Sequence, residues 1–272
     1  MILKAMGGKA QQVTELALMC PPDINTYYEP FAGGLALYWE LAKQGLFDRA
    51  VINDKNPLVA DVYRAVQENA EKLVYVLQPM RDFTGKTAFE TMRSQLNAFH
   101  APQSQVEGRP DLSLYERAAY VVYMNKRGFN GLFRVNQSGQ LNMPWGADGH
   151  LTSEKNLLEA GRLLQATKIC CGDFEQALAG ARSGDFVFAD PPYLGTFSDY
   201  AGAFSLRDHR RLERVLAALN ADGVRWMVCN SESPEVRQIW RRWNLRQVYC
   251  RRNGNSDGTN RGYVPELRIT NY

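Results

Sequence analysis

The 272-residue chain has only three histidines, His100, His150 and His209, scattered along its length, and five cysteines, no two of which form a Cys-x-x-Cys pair. That leaves no ligand spacing for a structural zinc, implies no metal, and points to a reducing compartment. Nowhere do about 18 apolar residues run together, as a membrane span requires. The opening "MILKAMGGKAQQ" lacks the apolar core of a signal peptide. The expectation is a soluble, cytoplasmic, monomeric protein without a membrane partner. The dinucleotide fingerprint Gly-x-Gly-x-x-Gly is absent, which argues against NAD. There is no internal repeat or low-complexity tract, and a net charge of +3 is too small by itself to announce a nucleic-acid partner.

What is present is a globular composition, 45% hydrophobic, in which the charge is clustered. Arg241, Arg242, Arg246, Arg251 and Arg252 crowd one stretch, and "NKRGFNGLFR" (125–134) mixes Lys126, Arg127 and Arg134 with Phe129 and Phe133. Arginine among aromatics suits a phosphate backbone and stacked bases. For 237–246 alone, arginines on a solvated helix face serve equally well.

Short apolar runs at 26–30, 49–53, 168–172, 185–189, 224–230 and 245–250 read as strands. Helices are expected between them, "LALYWELAKQG" and the segment after Pro57 early in the chain, then 174–182, 206–220 and 234–242. Strands alternating with helices imply an α/β, doubly wound, mostly parallel sheet. Residues 62–161 break that rhythm with helical pieces, a polar loop and a stretch rich in Gly and Asn. The expected organisation is a sheet domain of 1–61 and 162–272, interrupted by a mainly helical insert at 62–161.

The run "DFVFA" leads into "DPPY". Pro191 and Pro192 lack backbone donors and stop the strand, leaving Asp190 at its carboxyl end, where ligands bind in open α/β sheets. Tyr193, an aromatic after a rigid turn, offers a stacking face. The first strand runs into "YYEPFAGG", whose small residues let a ligand approach the backbone. The second ends at Asn53 and Asp54, an acid suited to ribose hydroxyls. Glycines plus acid favour a nucleoside cofactor. If it is S-adenosyl-L-methionine, the methyl arrives activated, and the protein must position and desolvate a nucleophile. Asp190 and the Pro191 carbonyl can each accept one hydrogen of an aromatic amine, with Tyr193 stacked on its ring. A base inside a duplex must be flipped out to reach them, at a cost of roughly a few kcal/mol.

Several motifs, in order, then resemble the Dam-type (D12 class) DNA adenine-N6 methyltransferases: "LKAMGGK" (3–9), "EPFAGG" (29–34), "NKRGFNGLFRVNQSGQLNMPWG" (125–146), "ADPPY" (189–193) and "RRNGNSDGTNRGYVPELRITNY" (251–272). The resemblance spans the chain. It implies a Rossmann-like class I methyltransferase fold, the cofactor S-adenosyl-L-methionine, double-stranded DNA as partner, and an inserted target-recognition domain. It implies a catalytic set of Asp190, Pro191, Pro192 and Tyr193. For the cofactor it implies Lys9, Glu29, Pro30, Phe31, Gly33, Asp54, Asp173, Phe174 and Asp190. For DNA it implies Lys4, Arg127, Asn130, Leu132, Arg134 and Asn136. Read without the family, "GDF" equally suits a helix cap by Asp173. The chain departs from the pattern at Ala5 (usually Trp), at Leu35 (usually a further Gly), and at Ala147–Asp148, where the best-known members carry Arg-Tyr. Two other readings remain: a methyltransferase acting on an amino group of RNA or protein, and a non-catalytic DNA-binding relative.

Overall fold

Every residue of the strand Phe186–Ala189 is buried, as a strand covered on both faces requires. In the computed structural model, which describes residues 1–4, 8–101, 108–131, 136, 140–194, 204–251 and 262–272, this strand is β4 of a seven-stranded sheet. The others are β1 (Ile24–Glu29), β2 (Phe47–Asp54), β3 (Thr167–Cys171), β5 (Arg225–Ser231), β6 (Asn244–Arg251) and β7 (Tyr263–Thr270). Their order is β3-β2-β1-β4-β5-β7-β6. β1 to β5 are parallel, and β7 runs antiparallel to both neighbours. The chain winds outward from β1 to β3 on one side and from β4 to β5 on the other. The switch point therefore lies between β1 and β4, where an open sheet parts its connecting loops. The fold is the α/β, doubly wound, mostly parallel arrangement that the alternating pattern implied.

The strands expected from the sequence all form, with ends displaced by one or two residues. The helix expected at 174–182 stops early, as α7 (Phe174–Leu178). Gly180 follows, and the Asp185 carboxylate then closes a turn by accepting from Arg182 N at 2.9 Å. The other helices of this unit are α1 (Val13–Met19), α2 (Ala36–Gln44), α8 (Leu206–Ala221) and α9 (Pro234–Trp240), with a 3-10 turn at Lys9–Gln11. Ser205 and Asp208 cap α8 reciprocally. Beneath it, Trp226 packs edge-on against Trp240 and Trp243, and its indole donates to Leu216 O at 2.9 Å.

By contacts the chain divides into two compact units, Lys9–Lys55 with Ala166–Tyr272, and Met1–Gly8 with Asn56–Gln165. The second unit is helical: α3 (Pro57–Leu77), α4 (Gly85–His100), α5 (Leu114–Arg127) and α6 (Glu154–Leu163). α3 packs on α5 and α6, and α4 on α5. The boundary read from the sequence at 62 falls within α3, which starts at the Asn56 cap and Pro57, so the unit takes in the whole helix. Its ends are clipped together: Gln67 donates to Leu164 O at 2.6 Å, and Gln165 donates to Gln67 O at 2.9 Å. Buried Asn125 holds the N-terminal segment through Lys4 N (2.7 Å) and Lys4 O (2.8 Å) while also donating to Gly131 O.

Candidate active site

The carboxyl ends of β1, β2 and β3 are tied by one side chain. Asn53 Nδ2, buried, donates to Pro30 O at 3.0 Å and to Gly172 O at 3.1 Å, while Asn53 O accepts from Ala32 N. Asp54 Oδ2 accepts from Gly33 N at 2.9 Å. Gly33 (φ 46) and Leu35 (φ 55, ψ 39) both take left-handed backbone conformations that turn the chain into α2. The second of these explains why glycine suits position 35. Half-buried Phe31 meets Phe174 and Phe204 at 5.5 and 5.3 Å between ring centroids, an apolar wall above the strand ends.

Two residues implied for the cofactor are placed otherwise. Glu29 lies in the core, 3% exposed, accepting from Tyr27 OH at 2.6 Å. Burial pushes its carboxyl up to about 8, a rise that the Tyr27 hydrogen bond moderates and Asp190 reinforces. It closes β1 at its carboxyl end, and Pro30 is buried beside it. Asp173 is the helix cap: its Oδ1 accepts from Glu175 N at 2.9 Å and its Oδ2 pairs with Arg211. Burial works to raise its carboxyl, but Arg211 and the Glu175 amide outweigh it and hold the group below the usual range. The Arg211 guanidinium also lies 4.4 Å over the Phe174 ring and 2.6 Å from Glu175.

Asp190 follows β4 directly, with buried Pro191, exposed Pro192 and half-buried Tyr193 after it. Lys9 Nζ, on a side chain 3% exposed, sits 3.1 Å from Asp190 Oδ1 and donates to Tyr193 OH at 2.8 Å. Tyr193 OH in turn donates to Glu266 Oε2 at 3.1 Å, and Arg268 Nη1 reaches the same oxygen at 3.1 Å. Burial lifts the Asp190 carboxyl above its ordinary range against the pull of Lys9. For Lys9, burial works downward but the facing carboxylates of Asp190 and Glu266 outweigh it, keeping the ammonium charged. Asp190 Oδ1, buried at the switch point, faces the Lys9 ammonium, and a carboxylate oxygen has a second lone pair with which to accept. Lys9, implied for the cofactor, is thus built into the Asp190–Tyr193 cluster. Sequence reasoning missed Arg211, Glu266, Arg268 and the stitching amide of Asn53. The signal for the β7 pair was legible in "YVPELRIT", where opposite charges two residues apart interrupt an apolar strand.

Of the residues implied for DNA, Lys4 is exposed, and Asn136 closes a turn with Gln140 (Asn136 N to Gln140 O, 2.8 Å). Leu132, Arg134 and the Asn130 side chain lie outside the described residues. Arg127 is corrected: it is 5% exposed and donates to Gly149 O, Tyr123 OH and Arg81 O. A guanidinium so occupied is an internal brace, not a hand for phosphate. Several arginines of the later cluster also face carboxylates, Arg237 with Glu232, Arg242 with Glu213 and Arg246 with Glu15. Among the described residues no group of His, Cys, Asp and Glu could hold a metal ion, and no helix is long and apolar enough to cross a membrane.

The family model of the D12 class N6 adenine-specific DNA methyltransferases matches residues 6–253. The chain is 35% identical over 280 residues to the type II methyltransferase M1.LlaDCHI of Lactococcus lactis subsp. cremoris, covering 99% of this chain and 94% of that protein. It is 29% identical to the type II methyltransferase M.MjaIII of Methanocaldococcus jannaschii, over 99% of this chain and 98% of the relative. A DNA adenine methylase of Haemophilus influenzae is 26% identical, over 97% and 91%. With a match to that family over residues 6–253 and an acid, two prolines and a tyrosine at the switch point of its sheet, the chain belongs to the D12 class of N6 adenine-specific DNA methyltransferases.

Proposed function

We propose that this enzyme uses S-adenosyl-L-methionine to methylate the N6 amine of an adenine flipped out of double-stranded DNA into the pocket at Asp190, acting inside the cell on the genome. The observation that carries this reading is the Asp190 carboxylate at the end of β4, followed by the Pro191–Pro192 turn and by Tyr193, whose hydroxyl is held by Lys9 and Glu266. The cofactor fits the residues present. Asp54 at the end of β2 is suited to ribose hydroxyls, the left-handed turn at Gly33 opens the backbone, and Phe31, Phe174 and Phe204 offer apolar faces to a purine. Bound there, it supplies an electrophilic methyl group.

The chain's own residues do the rest. Asp190 and the Pro191 carbonyl each accept a hydrogen bond from one amine hydrogen, which favours a tetrahedral nitrogen with its lone pair directed outward. One proton leaves the nitrogen as the methyl arrives, and the other hydrogen stays on the product. Tyr193 stacks on the extruded base, offsetting part of the cost of flipping it. Asp173 remains on the α7 cap, bridged to Arg211, so its role toward the cofactor's purine requires that Arg211 share it. Target reading falls to the insert, with Arg134 as the base reader through paired donors to guanine O6 and N7.

Incubation of the enzyme with methyl-labelled cofactor and duplex DNA tests the reading. Label is expected in N6-methyladenine, and Asp190→Ala is expected to lower turnover by at least about 100-fold without loss of fold, on the scale of removing one preorganised polar contact. Label in RNA or protein but not DNA, or near-parent turnover of the variant, contradicts it.

A further inference from the structure

Glu266 and Arg268 stand on β7, at the far end of the chain from Lys9, yet all three side chains are buried in one cluster with Tyr193 and Asp190. The side chains of Lys9, Glu266 and Arg268 are 3%, 4% and 1% exposed. Lys9 Nζ is 3.1 Å from Asp190 Oδ1 and 3.8 Å from Glu266 Oε2. Two cations face two carboxylates, so the cluster is balanced, and one ammonium is divided between two acids.

We propose that Glu266 is a positioning residue for methyl transfer: it anchors the Tyr193 phenol and shares the Lys9 ammonium with Asp190, so that the ammonium does not spend its whole charge on the carboxylate that meets the amine. The inference rests on the reading that Asp190 and Tyr193 receive the flipped adenine.

The physical argument has two parts. A tyrosine that stacks on a base needs its ring fixed, and the hydroxyl is fixed at both sides, by Lys9 (2.8 Å) and by Glu266 (3.1 Å). A carboxylate that accepts an amine hydrogen is weakened as an acceptor if an ammonium engages it fully. Arg268, 3.1 Å from Glu266, keeps that acid ionised: burial would raise its carboxyl, but Lys9 and Arg268 hold it below the ordinary range. Take away the Glu266 charge and Lys9 turns wholly to Asp190.

The pH profile reports this division. The groups facing Asp190 are Lys9 from the 3-10 turn, Glu29 from β1, Tyr193 beside it, Cys229 from β5, and Glu266 and Arg268 from β7. Only Glu266 is changed in Glu266→Gln, which keeps shape and an acceptor for the Tyr193 hydroxyl. Losing a repelling carboxylate lowers the Asp190 pKa, so the acid limb of the kcat profile moves to lower pH. The loss of positioning lowers kcat about 10- to 100-fold, with KM for cofactor and DNA near the parent values, since Glu266 touches neither. In combination with Tyr193→Phe the effect is less than additive, because the shared hydroxyl is gone.

A Glu266→Gln enzyme with parent kcat and an unmoved acid limb, whatever its melting temperature, overturns the proposal. If that variant does not fold, Glu266→Asp carries the test: it keeps the charge but shortens the reach, so kcat falls while the acid limb stays, and an unchanged kcat is the overturning result. Asp190→Ala measured alongside separates the layers. Normal turnover in Asp190→Ala removes the reading of the site, whereas an inactive Asp190→Ala beside a fully active Glu266→Gln removes this inference alone.

Discussion

The carboxylate of Asp148 lies 3.7 Å from the Arg127 guanidinium and accepts from Gly85 N, the first amide of α4, at 3.0 Å. One acid thus braces the end of α5 and caps the start of α4, at a position where better-known relatives carry a tyrosine. Asp148→Ala is expected to cost about 1–2 kcal/mol, the range of a lost helix cap. Arg127→Ala is expected to cost more, about 3 kcal/mol or above, because the Arg81 and Gly149 carbonyls lose their buried donors. Thermal unfolding checks both. A stable Arg127→Ala protein with selectively weakened DNA binding would return Arg127 to the DNA-contacting set.

Glu29 gives stability a pH dependence of unusual sign. Its folded pKa, pushed up to about 8 by burial, exceeds the ordinary 4.5. Between those values the unfolded chain has released a proton that the folded chain keeps, so stability falls as pH rises through the window. The contribution is fully present below about pH 4.5 and lost above about pH 8. Glu29→Gln mimics the protonated form. The variant should match the parent near pH 5 and exceed it by roughly a few kcal/mol near pH 9, and parallel unfolding midpoints across that range would contradict this.

Leu35 sets backbone strain against burial. A left-handed leucine costs roughly 1–2 kcal/mol, whereas deleting a buried leucine side chain costs about 2–5 kcal/mol. Leu35 is 1% exposed, so burial dominates and Leu35→Gly should lose stability. Leu35→Ala should lose more, since alanine retains the strain that glycine relieves. Chemical denaturation of the two variants gives the order, and an alanine variant more stable than the glycine one would refute the account.

Duplex binding should weaken steeply with salt, each neutralised phosphate adding about 0.9 to the slope of log affinity against log salt concentration. Arg242 already pairs with Glu213 at 2.7 Å. Arg242→Gln is therefore expected to leave the slope unchanged, and a drop of about one on salt titration would make Arg242 a phosphate contact after all.

Much of the catalytic unit was legible because its signals are local. "FVFA" before "DPPY" marks both a buried strand and the place where it must stop, and the glycines after β1 mark a turn. What was hidden depended on partners distant in sequence. Nothing near Lys9 says that its ammonium meets β7, and nothing near Arg127 says that Gly149 and Arg81 will take its donors. The glycines of 125–149, read as a recognition signature, have a packing reason too. A Cβ on Gly128 would meet Met124 O at 2.7 Å, and one on Gly146 would meet the Phe129 backbone at 2.8 Å. Asp173 shows the converse: the local reading as a helix cap needed no family to find it.

The clip between Gln67 and Gln165 changes what the insert means for folding. β2 and β3 pair in register, Asp54 opposite Cys171, although the whole helical unit intervenes between them. As a random coil, such a segment would impose the slow search of a long loop. Once α3 is formed and Gln67 is held to Leu164 and Gln165, the ends of the insert are joined within the insert itself, and only the stretch from Asn56 to Gln67 is left to close the loop. For the pairing of β2 with β3 the effective loop is then short, and the remaining residues of the insert can vary in length without lengthening the search for the register on which Asn53 and Asp54 depend.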